Sequence, residues 1–248
     1  MSALPRSPAT DLAAGAQVTG DARPVPARTL RQRLRNPAPA TIRIVKALLF
    51  AAALLPLARL GAGFWLDMRG GGPGVVTLGV NPVEFITRST GTWTLSFLLI
   101  TLAVTPLRRM LDLPWLLRLR RMLGLFAFFY GCLHLTTYVW LDQFFDAAAI
   151  VKDIVKRPFI TVGFAALLLL IPLAVTSTDR WMRRLGQRWH TLHKLIYVAA
   201  LLGSLHFLWL VKADWREPAL YIGAYVALMA WRRWKRPRAA AQPAPLRS

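Results

Sequence analysis

The chain is short of three things: it has one cysteine, four histidines and only eleven acidic residues in 248. A lone Cys132 excludes an internal disulfide, and no CxxCH is present for covalent haem attachment. Cys132 lies inside an apolar run and reads as a small buried hydrophobe. No GxGxxG follows a strand, so no dinucleotide-binding domain is evident. Residues 1–40 lack the compact apolar core and small-residue cleavage site of a secretory signal. What is abundant is hydrocarbon: 55% of residues are hydrophobic and mean hydropathy is +0.41.

Six apolar runs approach the roughly 20 residues that cross a bilayer core. They are about 47–67, 92–107, 122–141, 158–176, 189–211 and 217–231, the second and sixth being short. The formal charge of +21 invites a nucleic-acid reading, but its distribution argues against one. The N-terminal arm, the second and fourth connections (Lys194 counted with the fourth) and the tail hold 24 of the 32 Lys and Arg and four acids. The first, third and fifth connections hold seven bases and seven acids. This alternation is the positive-inside pattern, and it predicts an even number of spans with both termini cytoplasmic. The expected fold is therefore an all-α integral membrane protein, a six-helix transmembrane bundle in the bilayer. Residues 1–44 read as a disordered basic cytoplasmic arm, 45–232 as the transmembrane domain and 233–248 as a basic cytoplasmic tail. The connection MRGGGPGVVTLGVNPVEFITRST reads as a periplasmic loop. Ser177 or Thr178 is expected to cap a short surface helix with Asp179 in its first turn. No internal repeat stands out.

The scarce histidines carry the chemistry. With a rise of about 1.5 Å per residue, His134 in the third run lies about 10 Å below its outer end and His206 in the fifth about 8 Å below. Two imidazoles at one depth on different helices can grip one haem iron from both sides. His193 lies about 20 Å lower than His206 and about 140° round the helix. Its level on the third run holds Arg118, Arg120 and Arg121, which cannot ligate iron. His193 therefore reads either as an interfacial residue or as part of a second-haem, quinone or flavin site, and His190 as interfacial. The arginines of LRLRRM anchor topology, with a phosphate or propionate clamp as their functional reading. Arg59, an isolated charge inside the first run, is expected to snorkel to Asp67 or to neutralise a haem propionate.

The stretches TGTWTLSFLLITLAVTPLRR (90–109), RLRRMLGLFAFFYGCLHLTTY (118–138), IVKRPFITVGF (154–164), TSTDRWMRRLGQRWHTLHKLIYV (176–198) and LHFLW (205–209) resemble, in order and spacing, the MsrQ (YedZ) family. That family supplies the haem-binding membrane subunit of the MsrPQ methionine sulfoxide reductase system, within the ferric-reductase-like transmembrane group. The resemblance spans residues 48 to 232 and leaves out the N-terminal arm. It implies haem b on His134 and His206, an associated FMN, and His193 as the third family histidine. It implies electrons taken from membrane quinone and passed to a periplasmic molybdopterin reductase (an MsrP-like partner in a heterodimer) that repairs oxidised methionines. The chain would then be the electron-transfer subunit of a bacterial inner-membrane oxidoreductase system rather than its catalytic subunit. The alternative is a metal (ferric) reductase membrane domain. A transporter would require inverted halves with broken helices, which are not seen.

Overall fold

Prolines and small polar residues mark where the helices begin. The computed structural model describes residues 29–70, 78–211 and 214–234. Its elements are α1 (Leu30–Arg35), α2 (Pro39–Met68), α3 (Pro82–Leu111), α4 (Leu117–Thr137), α5 (Ala147–Lys156), α6 (Pro158–Val175), α7 (Asp179–Leu185), α8 (Gln187–Leu192), α9 (Leu195–Leu210) and α10 (Arg216–Trp234). A 3₁₀ turn, Pro114–Leu116, precedes α4, and a π-helical turn, Tyr138–Asp142, follows it. Pro39, Pro82 and Pro158 open α2, α3 and α6, where a missing N–H costs nothing. Asn81, Asp146 and Thr178 cap α3, α5 and α7 with side-chain oxygens. Thr178, rather than Ser177, thus caps the surface helix, with Asp179 in its first turn.

Among the described residues the chain is all helix, with no strand. Five segments are long and apolar enough to cross a membrane: Pro39–Met68, Pro82–Leu111, Pro114–Asp142, Pro158–Val175 and Gln187–Leu210. The sixth run forms α10, but charges at Arg216, Glu217, Arg232 and Arg233 leave apolar sequence only from Pro218 to Trp231. At about 1.5 Å per residue that is roughly 20 Å, a length that crosses the bilayer core only where the flanking arginines snorkel to the interface or the bilayer thins.

Two expectations are corrected by local geometry. The second half of the expected loop 68–90 is helical, because α3 starts at Pro82. The hydroxyls of Thr90, Thr92, Thr94 and Ser96 each donate to the carbonyl four residues back, so a polar stretch stays helical with its polar atoms paired. The fifth run is not one uninterrupted helix either: the hydrogen-bond register shifts at His193 and Lys194, between α8 and α9. Within the expected arm, α1 and the start of α2 are helical. Residues 1–28 and the tail from 235 lie outside the described residues.

Helix α3 packs along α4, and α6 along α9. Leu98, Leu102, Ala127, Tyr130, Ala199 and Ala200 fill the middle. At one end of the bundle Arg35 pairs with Asp112 (3.3 Å), and the Trp115 indole donates to the Leu34 carbonyl (3.1 Å). At the other end Arg88 of α3 pairs with Glu217 of α10 (3.2 Å). Helix α2 is tied in by the buried Tyr130 hydroxyl, which donates to the Ala53 carbonyl (2.8 Å). Tyr130→Phe removes that bond alone. It is expected to cost about 1 kcal/mol, read as a lower thermal midpoint of the detergent-solubilised protein by circular dichroism.

Candidate functional site: a paired-imidazole centre

His134 on α4 and His206 on α9 meet across the bundle, with ring centroids 6.1 Å apart and planes at 73°. A metal–imidazole bond of about 2 Å on each side puts the two ring centres about 6 Å apart. The observed 6.1 Å is compatible with that spacing. Each ring is held by a backbone carbonyl of the neighbouring helix. His134 Nδ1 donates to Thr87 of α3 (2.9 Å), and His206 Nδ1 to Phe159 of α6 (2.6 Å). That fixes the tautomer and leaves both Nε2 atoms as acceptors, the arrangement that orients metal-ligating histidines. Among the described residues neither Nε2 has a hydrogen-bond partner, and no cluster of three or more His, Cys, Asp or Glu could hold a bare metal ion.

Two glycines make room for the rings. A Cβ at Gly91 would come within 3.0 Å of the His134 ring, and one at Gly163 within 2.6 Å of His206 Nδ1. Both were visible in the motifs TGTWT and ITVGF, but nothing local distinguishes them from a packing glycine. Their meaning comes from a repeat that the sequence alone hid. Thr87, Gly91 and His134 correspond to Phe159, Gly163 and His206 at one offset of 72 residues. The same offset pairs Leu98 with Leu170, Arg108 with Arg180, Leu123 with Leu195, Gly131 with Gly203 and Leu133 with Leu205. The segment ITLAVT (100–105) returns as IPLAVT (171–176) one residue out of that register. The expectation of no repeat is therefore corrected. α3–α4 and α6–α9 are two hairpins of one pattern running in the same sense. Most matched positions are apolar, which is why they pass for ordinary membrane-like sequence.

The repeat also explains the lower level. The 72-residue offset sets Arg121 opposite His193. Arg121 pairs instead with Asp179, at the start of α7. His193 stacks on Trp189 (3.9 Å between centroids), and its Nδ1 donates to the Trp189 carbonyl (3.1 Å). Its Nε2 is buried without a partner among the described residues. His190 is exposed and edge-on to Trp189. Arg118 is exposed and Arg120 half-buried at this end of α4. None of these is brought to the imidazole pair. Nor is Arg59, which lines a groove between α2 and α3. Asp67, its expected partner, accepts the Leu78 N–H (3.0 Å).

Sequence reasoning missed the outer lock of the site. The Tyr138 hydroxyl donates to Asp153 (3.1 Å), and Asp153 pairs with Arg157 (3.2 Å). Tyr138 stands one turn past His134, and Arg157 two residues before the Phe159 carbonyl that holds His206. A half-buried carboxylate on α5 thus joins the segments behind both rings. Above His206 lies a shallow apolar groove of about 340 Å³ lined by Pro158, Phe159 and Trp209.

An all-helical bundle with membrane-length helices and two opposed, backbone-anchored imidazoles defines the class: a membrane protein built around a paired-histidine centre. Residues 90–204 match the family described as ferric reductase like transmembrane component. Three similar relatives carry the name protein-methionine-sulfoxide reductase heme-binding subunit MsrQ. The one from Herminiimonas arsenicoxydans is 54% identical over 197 residues, 78% of this chain and 86% of the relative. The one from Xanthomonas campestris pv. campestris (strain 8004) is 54% identical over 191 residues, 77% and 86%. The one from Azospira oryzae is 50% identical over 199 residues, 79% and 82%. The chain belongs to the MsrQ family.

Asp153→Ala cuts the outer lock. It is expected to speed amide hydrogen exchange across α5 and the first turn of α6 while the middle of α3 keeps its protection. Unchanged exchange in α5 would show that the carboxylate holds nothing.

Proposed function

We propose that the chain is the electron-transfer subunit of an inner-membrane oxidoreductase system, with six spans, both termini cytoplasmic and one haem b held by His134 and His206. The observation that carries this reading is the 6.1 Å pair with both Nδ1 atoms on backbone carbonyls. When bound, haem supplies one-electron storage between donor and acceptor. The chain's own part is to present two neutral Nε2 acceptors, fix their rings and exclude water with the apolar bundle. Thr87 Oγ1, buried without a partner among the described residues, is suited to receive a propionate.

The donor is membrane quinol, acting directly or through the FMN that the family resemblance implies. His193 Nε2 is the group available on the inner half to take a proton from it. Arg118 and Arg120 are suited to a flavin or headgroup phosphate. The acceptor is the periplasmic molybdopterin reductase that the family resemblance implies, and it is supported by relatives named as subunits of a protein-methionine-sulfoxide reductase. It would approach over the Pro158, Phe159 and Trp209 lip, beside His206. The family match to ferric-reductase-like components favours a second reading, a metal reductase membrane domain. Reduction of ferric chelates by the purified chain without a partner protein would distinguish it.

Two predictions test the centre. His134→Ala and His206→Ala each abolish the reduced haem b bands of the purified protein, whereas His193→Ala keeps them and slows reduction by a quinol. Full reduced spectra in both of the first two variants would overturn the assignment. Gly163→Ala pushes a methyl into the His206 ring and lowers haem per protein, read by pigment extraction. Gly203→Ala, whose Cβ would make an ordinary 3.5 Å contact with Leu95, leaves it near wild type.

A further inference from the structure

A second cavity lies away from the imidazole pair. It is a groove of about 520 Å³ between α2 and α3, and Arg59 is the one charged residue lining it. Leu55, Phe85 and Trp93 give it an apolar floor, with Ser89 and Ala52 at its edges. Arg59 is exposed and makes no ion pair among the described residues. Ser89 stands about 200° round α3 from both Thr87 and Gly91, so the groove opens on the face turned away from His134. A group on the iron would have to pass the width of a helix to reach Arg59.

Two features say what the groove fits. The first is height. Ser89 follows Arg88, whose pairing with Glu217 marks the level at which charge reappears on this end of the bundle. Arg59 is therefore level with a polar boundary rather than with the middle of the hydrocarbon. The second is charge. A guanidinium at that level reaches the interface, and the group that pairs with it best is an anion, which a neutral quinone does not supply. A phosphodiester does, through two parallel N–H bonds. Pro56, which also lines the groove, has no N–H to give to the Ala52 carbonyl. That carbonyl and the Ser89 hydroxyl are left for donors on a headgroup.

We propose that this groove binds one glycerophospholipid, its phosphate on Arg59 and an acyl chain along Leu55, Phe85 and Trp93. The proposal rests on the chain spanning a membrane, and it is independent of what the imidazoles hold.

The test is native mass spectrometry of the full chain purified in mild detergent, with lipid extraction. Wild type is expected to retain one phospholipid. After delipidation it should rebind phosphatidylglycerol saturably at one per chain. Arg59→Leu should weaken that rebinding by about tenfold or more, the loss of charge-assisted hydrogen bonds. Arg59→Lys should fall between. Ala62→Phe fills the groove without touching the charge and should also expel the lipid, so the test survives if Arg59→Leu does not fold. Equal retention in wild type and both groove variants, absence of any retained phospholipid, or displacement of the lipid by ubiquinone at equal concentration would each overturn the proposal. A failure of the imidazole assignment would appear in the absorbance spectrum and leave these lipid counts unchanged.

Discussion

The paired imidazoles hang on two hydrogen bonds from their Nδ1 atoms to backbone carbonyls, His134 to Thr87 and His206 to Phe159. In an apolar bundle a histidine has few partners and no water, so the carbonyl of a neighbouring helix decides both tautomer and ring direction. Both bonds cross between helices of the same hairpin. The packing of α3 on α4 and of α6 on α9 therefore sets the direction of each ring. Gly91 and Gly163 follow from the same constraint, because any side chain there would occupy the space of the ring.

The two hairpins repeat one design about the bundle axis. At the upper level both copies keep histidine, and a symmetric pair results. At the lower level the copies have diverged to Arg121 and His193, and Arg121 is taken up by Asp179. His193 Nε2, buried without a partner among the described residues, thus has no imidazole opposite it. A parallel repeat of this kind also explains why each half contributes one imidazole. Neither hairpin can close a two-sided site alone.

Charge shapes the rest. The basic connections and the acidic ones lie at opposite ends of the helices, so the ion pairs that close the bundle differ at its two ends. Arg35 with Asp112 and Arg121 with Asp179 tie the basic end. Arg88 with Glu217 and Asp153 with Arg157 tie the other, close to the segments that position the histidines. Apart from the half-buried Asp153, their members are largely exposed, and the exposed pairs are individually weak. Their value is in fixing where chain segments sit rather than in stability.

By itself the sequence determined the helical class, most of the membrane-length segments and the singling out of His134 and His206. Hydropathy is summed over local windows, and depth follows from a constant rise per residue. It did not reveal the start of α3, since a polar stretch whose hydroxyls bond back to the helix carries no apolar signal to read. It could not settle the role of Arg59 between Asp67 and a propionate, because that depends on which face of α3 lies across from α2. The carbonyl anchors, the glycine clearances and the Tyr138–Asp153–Arg157 lock were decided only by tertiary structure. Each is a relation between residues far apart in the chain, and such a relation leaves no local periodicity to read.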